Sequence, residues 1–164
     1  METKTINQML AEARFFSTMP PSHIATLAGC GKLVNYKAGE FLMREGDAAT
    51  TFFLIRSGEV GIESYMPSFG PVSIATIAEG RVAGYSWLFP PYRCSFDAHA
   101  ITQVHAVALD GACLRKKAEA DNELGYQLLS RFAEIMVQRL QTTRRQMLDL
   151  YALRNMPEGM PDVE

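Results

Sequence analysis

The sequence has no excess of positive charge and no long apolar run. It contains 16 Lys and Arg residues and 18 Asp and Glu residues, so the formal net charge is −2. A surface that neutralises a row of phosphates needs clustered positive charge, so we expect no direct nucleic-acid binding. The short basic cluster Arg115, Lys116 and Lys117 is typical of a solvated helix face. No stretch approaches the roughly 20 apolar residues that span a bilayer, and residues 1–16 lack a signal-peptide core. We therefore expect a cytoplasmic protein without a membrane partner.

Cysteine is scarce as well. Cys30, Cys94 and Cys113 lie far apart in the sequence and are odd in number. No CxxC pair is present for zinc, an iron–sulfur cluster requires four thiolates, and the histidines show no metal spacing. Any disulfide scheme leaves one thiol over, and three reduced thiols in the cytosol fit the pattern best. A second interpretation makes Cys94 a reactive thiol whose pKa is lowered by the neighbouring Arg93. We expect no metal and no resident cofactor.

Signatures of catalysis are missing too. The chain contains neither a Ser–His–acid order at a nucleophile elbow nor a Walker loop. Glu45 and Asp47 bracket Gly46, which indicates a turn rather than a pair of catalytic carboxylates. The sequence therefore predicts a protein that is not an enzyme.

What the chain does contain is a β-rich centre between helical ends. Seven short β-rich runs, separated by glycine and other turn residues, lie between residues 33 and 110 and predict a sandwich or jelly roll. Alternation in the run 96–101 puts Phe96, Ala98 and Ala100 on one face.

Helical periodicity precedes and follows this centre. Ser22 is predicted to cap the second N-terminal helix, and Asp121 or Asn122 a long C-terminal one. The predicted divisions are 1–30 for N-terminal helices, 31–111 for a β-roll, 112–153 for C-terminal helices and 154–164 for a flexible tail.

The long C-terminal helix predicts a dimer. About 30 residues of helix extend roughly 45 Å, farther than a small roll is wide. One apolar stripe of this helix suits packing on the roll, and a second follows steps of four and three residues. Such a seam is what two helices need for knobs-into-holes pairing, although both stripes facing the same protein remains the alternative. The seam consists of Ala133, Val137, Leu140, Arg144, Met147 and Tyr151.

Two segments resemble a known family. YKAGEFLMREGDAATTFFLIRSGEVGI at 36–62 and IAEGRVAGYSWLFPPYRCSFDAHA at 77–100 are similar to the cyclic-nucleotide-binding domain of the catabolite-activator (Crp/Fnr-like) family. The resemblance extends over roughly residues 15–152. It implies a mainly β fold with flanking helices, in which a double-stranded β-helix, or jelly-roll β-roll, precedes a long C-terminal dimerisation helix. The family's glycines match Gly39, Gly46, Gly58 and Gly84.

The resemblance also implies a place for a ligand. In the family, the glycine matched by Gly84 precedes a short helix whose N-terminal amides face the cyclic phosphate. A Glu then accepts from the ribose 2′-hydroxyl and an Arg pairs with the phosphate. Here the Glu position is Tyr85, the Arg position is Cys94, and Arg93 lies one residue earlier. Polar helix residues that close over the purine match Thr143 and Arg144.

Two interpretations of these changes stay open. In one, a bulge turns Arg93 back into the pocket and Tyr85 donates a hydrogen bond to the ligand. In the other, Arg93 is a solvent-facing loop charge, and Tyr85 and Trp87 pack to close a former pocket. The candidate ligand-binding residues are Gly84, Tyr85, Ser86, Trp87, Arg93, Cys94, Ser95, Thr143 and Arg144.

Two functions follow. The first is a sensor that binds a small anionic ligand, with an atypical cyclic nucleotide as the candidate, and signals through its C-terminal helix to an unidentified protein partner. The second is a degenerate fold without a ligand that serves as a dimerising interaction module. The residues after the long helix do not resemble a helix-turn-helix, so we expect neither function to include direct DNA binding.

Overall fold

A computed structural model describes residues 3–155 of the chain. The chain divides into two compact units, Met1–Gln127 and Leu128–Glu164. Beyond residues 154 and 155, the predicted tail lies outside the described residues. The elements are α1 (Ile6–Glu12), α2 (Pro21–Ala28), β1 (Gly31–Tyr36), β2 (Phe41–Met43), β3 (Thr51–Ser57), β4 (Val60–Met66), β5 (Gly70–Ile77), β6 (Val82–Ala83), β7 (Asp97–Ala100), β8 (Val104–Asp110), α3 (Gly111–Ala120) and α4 (Asn122–Arg154).

The strands form two four-stranded antiparallel sheets, in the orders β1-β8-β3-β6 and β2-β7-β4-β5. Both orders mix strands that are distant in sequence, which is the wiring of a jelly roll and agrees with the fold class expected from the sequence. The two-residue strand β6 was not predicted, because two residues carry no alternation that a sequence pattern can reveal. No helix among residues 3–155 is long and apolar enough to cross a membrane.

The space between the sheets holds the roll interior. Phe53 and Ile55 of β3 point into it, and Phe96, Ala98 and Ala100 follow the alternation predicted for β7. The buried cluster comprises Phe53, Ile55, Val60, Ile62, Ile77, Ala83, Phe96, Ala98, Ala100, Val104, Ala106 and Ala108.

A second apolar cluster lies on the other face of β3. Phe52 alternates with Phe53 along the strand and is fully buried. Its ring centroid lies 5.3 Å from that of Phe15 and 6.0 Å from that of Trp87. Strand β3 is therefore buried on both faces, and residues from outside the two sheets complete the packing around Phe52.

The helix caps agree with the sequence at one helix and differ at another. Asp121 Oδ1 accepts hydrogen bonds from the backbone N–H groups of Glu123 and Leu124, so Asp121 caps α4. The prediction that Ser22 caps α2 is wrong. Helix α2 begins at Pro21, two residues earlier than a cap at Ser22 implies, with Pro20 at the cap position and no side-chain cap. Proline suits a helix start because its missing N–H would lack a helical partner there.

Helix α4 spans 33 residues and exposes its predicted dimer seam. Leu140 is 70% exposed, Met147 52% and Tyr151 59%, and every residue from 141 to 155 is exposed. An apolar seam with this exposure is available for a partner helix.

The cysteines differ from the expectation of three reduced thiols. Cys30 and Cys113 form a disulfide that joins residues 83 positions apart, and Cys94 is the free cysteine among the described residues. The reason is the antiparallel pairing of β1 with β8, in which Gly31 lies opposite Leu109. That register brings the residue before β1 close to the first turn of α3.

Candidate ligand-binding site

Residues 84–95, here called the cassette, join β6 to β7. The cassette begins at Gly84, whose φ of +87° lies in the left-handed region that favours glycine. A β-carbon there would also stand 2.8 Å from the carbonyl oxygen of Thr51 and 3.0 Å from the terminal methyl of Met43. Both conditions require glycine at residue 84, which fixes where the chain enters the cassette.

The cassette contains no helix, although the family resemblance implied one after Gly84. The backbone instead forms two tight turns, closed by bonds from Leu88 N–H to the Tyr85 carbonyl and from Tyr92 N–H to that of Phe89. A row of helix N-terminal amides is therefore not available to an anion at this place, and side chains have to supply the binding groups.

Trp87 anchors the cassette in the apolar cluster around Phe52. Its side chain is fully buried, and its indole Nε1–H donates to the carbonyl of Gly84 over 3.1 Å. A β-carbon on Gly111 would stand 2.7 Å from the Trp87 Cβ, so the tryptophan occupies the space that glycine leaves. The Trp87 side chain is not accessible to a small ligand from solvent.

Two serines nine residues apart meet across the cassette. Ser86 Oγ lies 3.3 Å from Ser95 Oγ, with Ser86 half-buried and Ser95 exposed. Tyr85 packs against the roll interior with its ring centroid 5.8 Å from that of Phe96. One of the two hydroxyls donates to the other and one hydroxyl hydrogen remains, so the pair forms a short polar rim that can donate to an oxygen of an anion.

Arg93 lies on a segment that pairs with the turn after β2. Residues 93 and 48 form an antiparallel bridge, and Cys94 N–H donates to the Asp47 carbonyl over 2.8 Å. The exposed Arg93 side chain donates from Nη1 to the Gly46 carbonyl over 3.0 Å. A guanidinium carries five N–H donors and this bond uses one, so Arg93 keeps capacity for an anion at the cassette edge.

The interpretation of Cys94 as a reactive, low-pKa thiol is wrong. Burial raises the pKa of Cys94, and the negative charge of Asp47 raises it further. The positive charge of Arg93 does not reverse this shift, because the Arg93 side chain points to the Gly46 carbonyl. Cys94 therefore stays protonated near neutral pH.

Arg115 is a functional candidate that the sequence analysis missed. The basic cluster was assigned to a solvated helix face, yet Arg115 Nη1 donates to the carbonyl of Trp87. Its guanidinium carbon also lies 4.4 Å from the centroid of the Tyr92 ring. Arg115 thus holds both halves of the cassette to α3. A single arginine on an amphipathic helix gives no sequence signal for such a contact.

Thr143 and Arg144, the remaining candidates, occupy exposed positions of α4 in the second unit. The other seven candidates all lie in the cassette: Gly84 to Trp87 at its start and Arg93 to Ser95 at its end, and the contact of Ser86 with Ser95 joins the two groups. The arrangement offers two hydroxyls and a guanidinium, which can bind an anion but contain no nucleophile–base pair for catalysis.

Comparison with known proteins points to one kind of domain. The family model of the cyclic nucleotide-binding domain matches residues 33–121. The solved structure of a cyclic nucleotide-binding domain from Methylobacillus flagellatus superposes with a TM-score of 0.70 at 20% identity, covering 95% of this chain and 85% of that one. The fold class predicted from the sequence is thereby confirmed.

Two curated proteins are also similar. A CRP-like cAMP-activated global transcriptional regulator of Mycobacterium tuberculosis is 28% identical over 145 residues, which are 88% of this chain and 63% of that protein. Acetyltransferase Pat of Mycolicibacterium smegmatis is 36% identical over 75 residues, which are 46% of this chain and 22% of that enzyme. The chain therefore spans less than two thirds of either relative.

Proposed function

Because the chain belongs to the cyclic nucleotide-binding domain family, we propose that it is a sensor whose cassette binds a small anionic ligand. A regulatory role is what this family membership supports. The finer proposal is that the ligand is an atypical cyclic nucleotide and that α4 transmits the resulting conformational change to a protein partner. The observation that carries it is the meeting of Ser86 and Ser95 at the rim of a cassette that also exposes Arg93.

The substitutions at the family's Glu and Arg positions favour an altered affinity. Hydrogen bonds to charged groups contribute about 1.5–3 kcal/mol each. Without an Arg at residue 94, the usual phosphate contact is lost, which weakens binding about 10- to 100-fold. Arg93 with the two serine hydroxyls would restore part of this energy from a displaced position. The proposal is therefore micromolar binding rather than nanomolar binding.

Small residues in the roll interior support a ligand near the cassette. Five of the twelve residues in the buried cluster are alanines, and Ala83 is the residue directly before Gly84. Tyr36 and Tyr85 pack partly buried against the same cluster. Tyrosine rings stack readily on a purine, so these two side chains are the candidates for contacting the base of a cyclic nucleotide.

Signal transfer would begin at Trp87 and Arg115. A ligand shifts a conformational equilibrium only through different affinities for the two states. A ligand on Ser86 and Ser95 that moves the cassette changes the contact of the Trp87 carbonyl with Arg115 of α3. Only Asp121 separates α3 from α4, so a displacement of α3 reaches the start of the long helix.

A degenerate interaction module is the second candidate. The observation that favours it is the complete burial of Trp87 together with the packing of Tyr85 on Phe96. In that case aromatic rings fill the space that a ligand would take, and the exposed seam of α4 carries the function by pairing two copies of the chain.

Isothermal titration calorimetry of the ligand-stripped chain separates the two candidates. The compounds are cyclic AMP, cyclic GMP and cyclic dinucleotides. The sensor predicts micromolar binding of at least one compound and at least a tenfold loss in Arg93→Ala. Arg56→Ala is the matched control, because Arg56 lies in β3 outside the cassette. No heat with any compound would reject the sensor and favour the module.

We also propose a cytoplasmic location and a protein rather than DNA as the target of the signal. The small negative net charge supports the choice of a protein partner. Affinity capture with the full chain, with and without the ligand found by calorimetry, tests this proposal. We expect a partner whose capture changes with the ligand, whereas capture of a specific DNA duplex would contradict it.

A further inference from the structure

We propose that Cys30 and Cys113 form a redox site, opened by a dithiol reductant, whose state controls how firmly α3 holds the cassette. The redox site requires no ligand at the cassette, so its test is independent of the test of the sensor proposal.

The bond lies at one corner of the fold. Cys30 follows α2 and precedes β1, and Cys113 is the third residue of α3. Their Cα atoms are 5.7 Å apart, and the Asp110 N–H donates to the Cys30 carbonyl over 2.9 Å. The β1–β8 ladder thus keeps the two cysteines adjacent whether the bond is closed or open. A site that stays assembled after reduction can be reoxidised without a search through conformations.

One of the two cysteines is partly exposed to solvent. Cys30 is buried with 8% exposure, whereas Cys113 is half-exposed on the wall of a surface depression of about 430 Å³. Lys116 and Lys117 line the same depression. The two lysines attract an incoming thiolate and stabilise a thiolate on Cys113 against the charge of Asp110, which also lines the depression and accepts from the Cys113 N–H over 2.7 Å.

The exchange is a two-electron reduction. A thiolate of the dithiol attacks Cys113 Sγ, the Cys30–Cys113 bond breaks, and the Cys30 thiolate takes a proton. The second thiolate of the reductant then attacks the other sulfur of the reductant, which is bonded to Cys113 in the mixed disulfide. This step releases the Cys113 thiolate, which also takes a proton. The reductant leaves as a disulfide, and the chain gains two thiols.

The consequence reaches the cassette through α3. Arg115, two residues beyond Cys113, donates to the Trp87 carbonyl and stacks on Tyr92. With the disulfide closed, the first turn of α3 is covalently fixed to the start of β1. With the disulfide open, the first turn of α3 keeps noncovalent contacts such as the hydrogen bond from the Gly111 N–H to the Thr50 carbonyl. In the proposed cytoplasmic location, disulfides are typically transient and redox-sensing.

The test uses the full chain in buffers of defined ratio of oxidised to reduced dithiothreitol. Alkylation followed by mass spectrometry reports the Cys30 and Cys113 thiols separately from Cys94. Emission of Trp87, the single tryptophan, reports the cassette. We expect reversible reduction of the folded chain, a shift in Trp87 emission, and a fall in Tm of about 10 °C.

The double variant Cys30→Ser with Cys113→Ser is the control. It should show the reduced emission spectrum without dithiothreitol and no response to it. If this variant does not fold, the redox titration of the wild-type chain still decides. Failure of the bond to form under oxidant, resistance to dithiothreitol until the chain unfolds, or reduction without a change in Trp87 emission would each overturn the proposal.

Discussion

Trp87 and Gly111 are packed so closely that a β-carbon at residue 111 would stand 2.7 Å from the Trp87 Cβ. They lie 24 positions apart, with Trp87 in the first half of the cassette and Gly111 at the start of α3. The same hypothetical β-carbon would stand 3.1 Å from the Thr50 carbonyl oxygen. The pair therefore ties the candidate site to the helix that leads into α4.

Gly111→Ala should loosen this contact. The added methyl group displaces Trp87, and overpacking of this kind costs about 1–3 kcal/mol. We expect a lower free energy of unfolding in urea and a changed Trp87 emission in the native state. Gly29→Ala is the control, because the atom nearest to its β-carbon would be the Thr26 carbonyl oxygen at 3.3 Å. Equal effects of the two substitutions would argue against a tight contact at Gly111.

Asp121 is expected to stabilise the junction of α3 and α4. Its Oδ1 caps α4, and its Oδ2 lies 3.3 Å from Nε2 of the buried His23. Asp121→Ala removes both contacts and should cost about 1–2 kcal/mol in urea denaturation. Asp121→Asn keeps a capping oxygen and should cost less. Indistinguishable stabilities of Asp121→Ala, Asp121→Asn and wild type would show that the cap contributes nothing.

The exposed seam of α4 predicts a homodimer. Leu140→Glu places a charge in the middle of the seam, and burying it without a partner should weaken the dimer at least about 100-fold. Sedimentation equilibrium measures the dissociation constant. Thr142→Glu adds the same charge two residues away, off the seam, and should leave dimerisation nearly unchanged. A wild-type monomer, or equal weakening by both variants, would contradict the prediction.

Cys94 should be an unreactive thiol. Because burial and then the charge of Asp47 raise its pKa, alkylation by iodoacetamide at pH 8 should be slower than for a free peptide of residues 90–98. Asp47→Asn should increase the rate. A raised thiol pKa favours the protonated folded state, so this stabilisation is present below the ordinary pKa and is lost as pH rises through the raised pKa. A rate at or above that of the peptide would contradict this description.

The sequence predicted the roll well and the cassette poorly, for different physical reasons. Alternation along β7 places Phe96, Ala98 and Ala100 inside because a strand has only two faces. The conformation of the cassette instead depends on Trp87 finding space at Gly111 and on Arg115 reaching the Trp87 carbonyl. Such long-range contacts leave no local pattern.

The disulfide shows the same limit. Cys30 and Cys113 meet only because β1 pairs with β8 in one register, with Gly31 opposite Leu109. A pairing between the first and last strands of the roll is a property of the topology. The family resemblance predicted that topology in outline but not which residues flank its ends.

The central claim is that residues 84–95 bind a small anion, and hydrogen exchange of the backbone amides in this segment tests it most directly. The measurement compares the chain alone with the chain at millimolar cyclic AMP, cyclic GMP or a cyclic dinucleotide. We predict that at least one compound slows exchange in residues 84–95 and in the adjoining turn at residues 46–49, which pairs with residues 92–94. Unchanged exchange in the cassette with every compound would contradict the claim and leave the exposed seam of α4 as the functional surface.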